Sequence, residues 1–290
     1  MTADAPRDPV LDAHHHLWDP SSRAYPWMRR PGLEPLQRPY GLDDLREATA
    51  AAGVRWTVLV QTVSDEAETH EFLDAAAGSG GLVVGVVGWV DLCAEDVADR
   101  LAKLRSVPGG ERLVGVRHQV EDEPNLDWLA RAEVRRGVRA LAGAGLRYDL
   151  LVRPEQLPGA TALADAVPDG RFVLDHGAKP PIGRPEWPRW VDLVADLALR
   201  DNVVCKLSGL FTEVPPGAAL DDVTPSVEHL LGCFGPDRLM FGSDWPVSTL
   251  AAPYSEVVRR TSDLIHGLSP DERRAVLAGN AARTYGLSLP

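Results

Sequence analysis

Four residues in this chain have the types that could do hydrolytic or metal chemistry together. They are His14 and His16 in VLDAHHHLW (Val10 to Trp18), His176 in RFVLDHG (Arg171 to Gly177) and Asp244 in RLMFGSDWP (Arg238 to Pro246). If the first run is a β-strand, side chains alternate between two faces, so Asp12, His14 and His16 share one face and Leu11 and Ala13 pack on the other. By the same rule Met240, Gly242 and Asp244 share a face, as do Phe172, Leu174 and His176. Three imidazoles and one carboxylate then converge. That set suits one divalent cation, zinc or manganese, with open positions for water. It suits equally a metal-free site in which Asp244 is a general base toward water.

A second ring of candidates surrounds these four. Arg117 and His118 are adjacent and so have opposite parity on a strand; His118 is favoured as a substrate contact and Arg117 kept as a binder of carboxylate or hydroxyl groups. Lys206 shares parity with Val204 and either reaches substrate or forms a salt bridge inside the fold. Trp18, Trp27 and Trp245 offer apolar surface for the less polar face of a ring, with core packing as the alternative.

Such residues need strands that deliver them to one place. The chain alternates apolar runs with helical stretches: strands at Val10, Val54 to Thr62, LVVGVVGWVDL, LVGVRHQV, Leu146 to Val152, Arg171 to Gly177, Asn202 to Gly209 and Arg238 to Pro246. Helices are expected at Leu42 to Ala52, Glu66 to Ala77, Glu95 to Ser106, about Asn125 to Ala142, Pro154 to Ala166, Glu186 to Leu199 and Pro225 to Cys233, the last capped by Thr224. Eight strands with no hairpin between neighbours favour a closed parallel (β/α)8 barrel over an open doubly wound sheet. All 290 residues are expected to form one domain. In a barrel the chemistry gathers at the C-terminal strand ends, and each run here ends near a polar residue: His14 and His16, Gln61, Asp91, Arg117 with His118, Asp149, His176, Lys206 and Asp244. The aperiodic stretches Asp19 to Gly41 and Leu210 to Thr224 are expected to form loops that set specificity.

Bulk properties narrow the function classes. A formal charge of −12 argues against nonspecific nucleic-acid binding, which requires clustered Lys and Arg. Three cysteines without C-x-x-C spacing indicate neither a disulfide framework nor a thiolate zinc site, and fit a reducing cytoplasm. MTADAPRDP lacks a basic-then-apolar leader pattern, and no apolar run approaches the length of a membrane span, so a soluble protein with no membrane partner is expected. Monomer and homodimer both remain open.

Several motifs together resemble the amidohydrolase superfamily: D-A-H-x-H-L-W from Asp12, D-H-x-x-K-P from Asp175, N-V-x-C-K-L-S-G from Asn202 and F-G-S-D-W-P from Phe241. V-R-H-Q-V-x-D-E-P from Val116 and G-N-A-x-R-x-Y-G-L from Gly279 extend the likeness over nearly the whole chain. More narrowly, the motifs resemble the sugar-lactone hydrolase branch that includes fuconolactonase, rhamnonolactonase and pyrone-dicarboxylate lactonase. The resemblance implies a distorted TIM barrel that adds water to the carbonyl of a small lactone and opens it to the hydroxy acid. It makes His14 and His16 the strand-one pair, His176 the later-strand histidine and Asp244 the strand-eight aspartate, with a metal ion that some members dispense with. The rival readings are another ester or amide hydrolase, a zinc-dependent decarboxylase of the same superfamily, and a noncatalytic ligand-binding barrel.

Overall fold

The computed structural model describes residues 9–289. The segment MTADAPRD, on which the leader reading above rests, lies outside them. Eight parallel strands run in sequence order around one sheet. In chain order they are β1 (Val10–His15), β2 (Val54–Val60), β3 (Val83–Gly88), β4 (Leu113–His118), β5 (Arg147–Leu150), β6 (Phe172–Leu174), β7 (Val203–Leu207) and β8 (Leu239–Phe241). Just beyond the paired strands, the β8 segment meets β1: the Asp244 amide donates to the His14 carbonyl and the His16 amide to the Trp245 carbonyl, both at 2.7 Å. The sheet therefore closes as a barrel, and the open doubly wound alternative is excluded. The architecture is a single-domain α/β TIM barrel.

Between the strands lie α1 (Leu42–Ala52), α2 (Glu66–Gly78), α3 (Val97–Ser106), α4 (Ala132–Gly143), α5 (Leu157–Ala166), α6 (Trp187–Ala198) and α7 (Thr224–Phe234), with α8 (Tyr254–Leu264) after β8. Sequence signals explain several of the ends. Gly53 stops α1 in the left-handed region (φ 73°), where a side chain would be strained, and the Asp65 side chain caps α2 by accepting from the Ala67 amide. Thr224, expected as a cap, is instead the first residue of α7, with Pro225 in the first turn.

Apolar burial forms two clusters. One packs the helices against the sheet and includes Leu59, Phe172, Leu174, Cys205 and Phe241. The other joins Leu11, Ala13, Val58, Val173 and Met240 to Ala281 and Tyr285, so a helix near the C-terminus, α9 (Asn280–Tyr285), seals this second core. Two expectations of parity fail here. Asp12 does not share a face with His14: its carboxylate receives the Tyr254 hydroxyl of α8 and the Ser243 amide and hydroxyl. The pairing register shifts between Asp12 and His15, and this irregularity turns His14 and His16 into the site while Leu11 and Ala13 keep the second core. Likewise Phe172 and Leu174 pack toward the helices, yet His176 does not follow them. It opens a turn in which His176, Gly177, Ala178 and Lys179 all have φ between 55° and 59°.

All three cysteines are free thiols. Among the described residues no helix is long and apolar enough to cross a membrane.

Candidate active site

Each histidine is held through one ring nitrogen and presents the other. His16 Nδ1 donates to the Val60 carbonyl at 2.7 Å, which fixes the tautomer and leaves Nε2 with a lone pair. His176 Nδ1 pairs with the Ser208 hydroxyl at 2.8 Å. His14 Nδ1 lies 3.2 Å from the Lys206 ammonium and 3.4 Å from Asp175 Oδ1. The three Nε2 atoms then face Asp244 Oδ1, at 3.7 Å from His14, 3.4 Å from His16 and 4.0 Å from His176. Asp244 has φ 58°, a left-handed conformation that costs a non-glycine residue free energy and that surrounding structure must enforce. Its own amide bond to His14 and the Ser248 amide bonded to its carbonyl do so.

Small residues clear the space. A Cβ on Gly209, itself at φ 61°, would sit 2.6 Å from His176 Nδ1 and 3.0 Å from Asp244 Oδ2. One on Gly242 would sit 2.7 Å from His14 Cβ. The glycines of K-L-S-G and F-G-S-D therefore serve close packing around the four functional groups.

Behind His14 lies a buried ion network. The Lys206 ammonium, fully buried, meets Asp149 Oδ2 at 2.6 Å and Asp175 Oδ1 at 3.0 Å, and Tyr285 donates to Asp149 Oδ2 at 2.7 Å. Arg117 donates to Asp175 at 3.1 Å and to Gln61 Oε1 at 2.8 Å, caps the Gln61 carbonyl, and brings Nη1 to 3.2 Å from His14 Nε2. Burial raises the Asp175 carboxyl, but Lys206, His14 and Arg117 outweigh it and hold Asp175 well below the usual range. Burial likewise pushes up Asp244, and the neighbouring His176 and His16 reverse the shift, so Asp244 is ionised at neutral pH. His14, His16 and His176 are all pushed down by burial against the pull of the carboxylates, so neutral imidazoles face that anion.

The site opens into a cavity of about 240 Å³, the scale of a small ring. His16, His176, Asp244, Arg117 and Trp27 line it. The two loops anticipated as specificity elements both contribute, Trp27, Arg30 and Leu33 from the first and Thr212 and Glu213 from the second.

The remaining candidates lie elsewhere. His118 is not in the lining: its Nδ1 accepts from the Trp89 indole at 3.1 Å, its Nε2 meets Glu123 at 2.7 Å, and its ring stacks on Trp128 at 4.2 Å. Both nitrogens are thus committed, and of the adjacent pair Arg117 is the residue that faces the cavity. Lys206 sits under the site as an ion pair rather than in the lining. Trp18 donates to the Leu36 and Arg38 carbonyls and packs on Trp27, while Trp245 packs on Tyr40 and Tyr254, so only Trp27 of the three tryptophans faces the cavity.

The donor set fits a divalent ion. Ligand atoms of His14, His176 and Asp244 lie within 4.8 Å of one another, and His16 Nε2 stands 3.2 Å from His14 Nε2. The distal nitrogens of the histidines are anchored by a carboxylate, a carbonyl and a hydroxyl, the outer support that metal-bound imidazoles use. Calorimetric titration of chelator-treated protein with zinc is expected to show one ion per chain, with affinity falling at least about tenfold in His176→Ala. Undiminished binding in that variant would place the ion elsewhere.

A parallel barrel with an H-x-H pair on its first strand, a later histidine and an aspartate after its last strand defines a hydrolytic metal-site class. The sequence matches the amidohydrolase family model over residues 11–287, and the chain belongs to that family. It is 36% identical over 286 residues to an L-fucono-1,5-lactonase of Burkholderia ambifaria, covering 97% of this chain and 96% of that protein. A zinc-bound crystal structure of an amidohydrolase from Burkholderia multivorans superposes with a TM-score of 0.90 at 36% identity, covering 97% of this chain and all of that one. The 5-carboxyvanillate decarboxylase of Sphingomonas paucimobilis shares the fold, with a TM-score of 0.65 at 14% identity over 97% of this chain and 100% of that one.

Proposed function

We propose that this protein hydrolyses a small sugar-acid lactone to the open hydroxy acid. The observation that carries the reading is an ionised, buried Asp244 at the floor of a ring-sized cavity, beside three neutral imidazoles and the Arg117 guanidinium. The full-length likeness to an L-fucono-1,5-lactonase supports it.

Asp244 accepts a proton from water as the oxygen attacks the lactone carbonyl, and so needs only to be ionised at working pH. The tetrahedral oxyanion is stabilised by Arg117, a contribution of roughly 3 to 4 kcal/mol for one well-placed donor. As the ring C–O bond breaks, protonated Asp244 returns its proton to the leaving oxygen, which becomes the product hydroxyl. His14, His16 and His176 hold the site's geometry. A divalent ion among His14, His176 and Asp244 would act as a Lewis acid on the carbonyl and lower the pKa of water. Trp27 covers the less polar side of the ring.

The substrate is a free small molecule, and the place of action is the cytoplasm, in keeping with three free thiols. Following ring opening of L-fucono-1,5-lactone with a pH indicator tests the reading, and release of carbon dioxide from an aromatic or unsaturated acid in its place would favour the decarboxylase.

A further inference from the structure

The wall of the cavity carries a second group of charges that the hydrolytic step does not use. Lys179 Nζ pairs with Glu121 Oε2 at 2.5 Å, and Glu213 lines the same cavity. None of the three is on a strand: Glu121 follows β4 in the turn Val120–Asp122, Glu213 ends the turn Phe211–Glu213 after β7, and Lys179 closes the left-handed turn after β6. That turn has three non-glycine residues at positive φ, and its effect is to bring His176 and Lys179, three residues apart, into one cavity. Strain of this kind persists where the surrounding structure enforces it, and here it clusters at the site.

The bonding capacity of the group is only partly used. An ammonium has three N–H donors, and Lys179 spends its one close contact on Glu121. Glu121 is 7% exposed at its side chain; its Oε2 is buried with Lys179 as its close charged partner, and Arg153 stands 4.0 Å from the same oxygen. The Glu213 carboxylate has no hydrogen-bond or ion-pair partner among the described residues. Burial raises its pKa, Lys179 lowers it and Glu121 raises it, so the three groups feel one another across the cavity.

We infer that Glu121, Lys179 and Glu213 form a hydroxyl-reading subsite that selects polyhydroxylated lactones over unsubstituted lactones. A hydroxyl both donates and accepts, and this wall offers both functions: ammonium N–H groups beside the Glu121 carboxylate, with the Glu213 carboxylate lining the same cavity. Vicinal hydroxyls can therefore give their protons to Glu121 and Glu213 and accept from Lys179. The inference rests on the lactonase reading and adds the substrate's chemistry.

Steady-state kinetics on L-fucono-1,5-lactone and δ-valerolactone, with wild type, Glu121→Gln and Glu213→Gln, test it. Wild type should prefer the hydroxylated lactone, and each variant should raise its KM about tenfold or more with kcat changed little, so that the preference shrinks. Glu213→Gln separates recognition from architecture, because no group among the described residues depends on the Glu213 side chain for a bond. An equal loss on both lactones, or an unchanged preference, would overturn the inference while leaving the lactonase reading in place. Turnover of neither lactone by wild type would remove both.

Discussion

Replacing Asp244 with asparagine is expected to lower kcat on a lactone substrate by about 10³-fold, within the range that positioned proton transfer contributes. The substitution conserves shape, and the main-chain bonds that fix the residue, from its amide to His14 and from the Ser248 amide to its carbonyl, do not involve the carboxyl group. The amide cannot accept a proton from water. It also ends the charge balance in which His16 and His176 favour the ionised carboxyl. Thermal unfolding should therefore change by only a few degrees while turnover collapses. A loss of less than about tenfold would move the base to another group.

The second large effect is on stability. Lys206→Met is expected to cost about 3 to 5 kcal/mol, because it strands the buried carboxylates of Asp149 and Asp175 without their shared cation. For a chain of this size that corresponds to a fall in Tm of roughly 10 °C. Asp149 is already raised to about 6, burial being offset by Lys206 and the Tyr285 hydrogen bond, so losing Lys206 drives its protonation further. Adding Asp149→Asn to Lys206→Met should recover part of the loss, since the second change removes one stranded charge. Activity should fall as well, because Asp175 and Lys206 together position His14 Nδ1. A Tm within about 3 °C of wild type would show that the network relaxes or hydrates when its cation is removed.

The barrel was legible because eight apolar runs punctuated by helices leave few alternatives, and the order of strands in the sheet follows the order in sequence. His14, His16, His176 and Asp244 were legible as residue types near strand ends, but period-two parity alone explains none of them, since Asp244 too lies past its strand in a left-handed conformation (φ 58°). His16 and His14 reach the site through a register shift after Asp12, and His176 through a left-handed turn, backbone departures that side-chain alternation does not encode. His118 was favoured over Arg117 because sequence alone does not reveal that Trp89 and Glu123 would occupy both of its ring nitrogens.

Asp175 and Tyr285 were visible only as letters within motifs, since their role depends on contacts with residues far away in the chain. Glu121 occupies the unspecified position of V-R-H-Q-V-x-D-E-P, and Glu213 lies in an aperiodic loop. Both reach the cavity through short turns, where no periodicity predicts direction.

Water addition to a lactone carbonyl at Asp244 is tested by initial-rate proton release with L-fucono-1,5-lactone in ¹⁸O-enriched water. Enzyme-dependent acid release with one labelled oxygen in the product carboxyl group is expected, abolished in Asp244→Asn. Acid release without label in that group, or no release with or without added zinc, would contradict it.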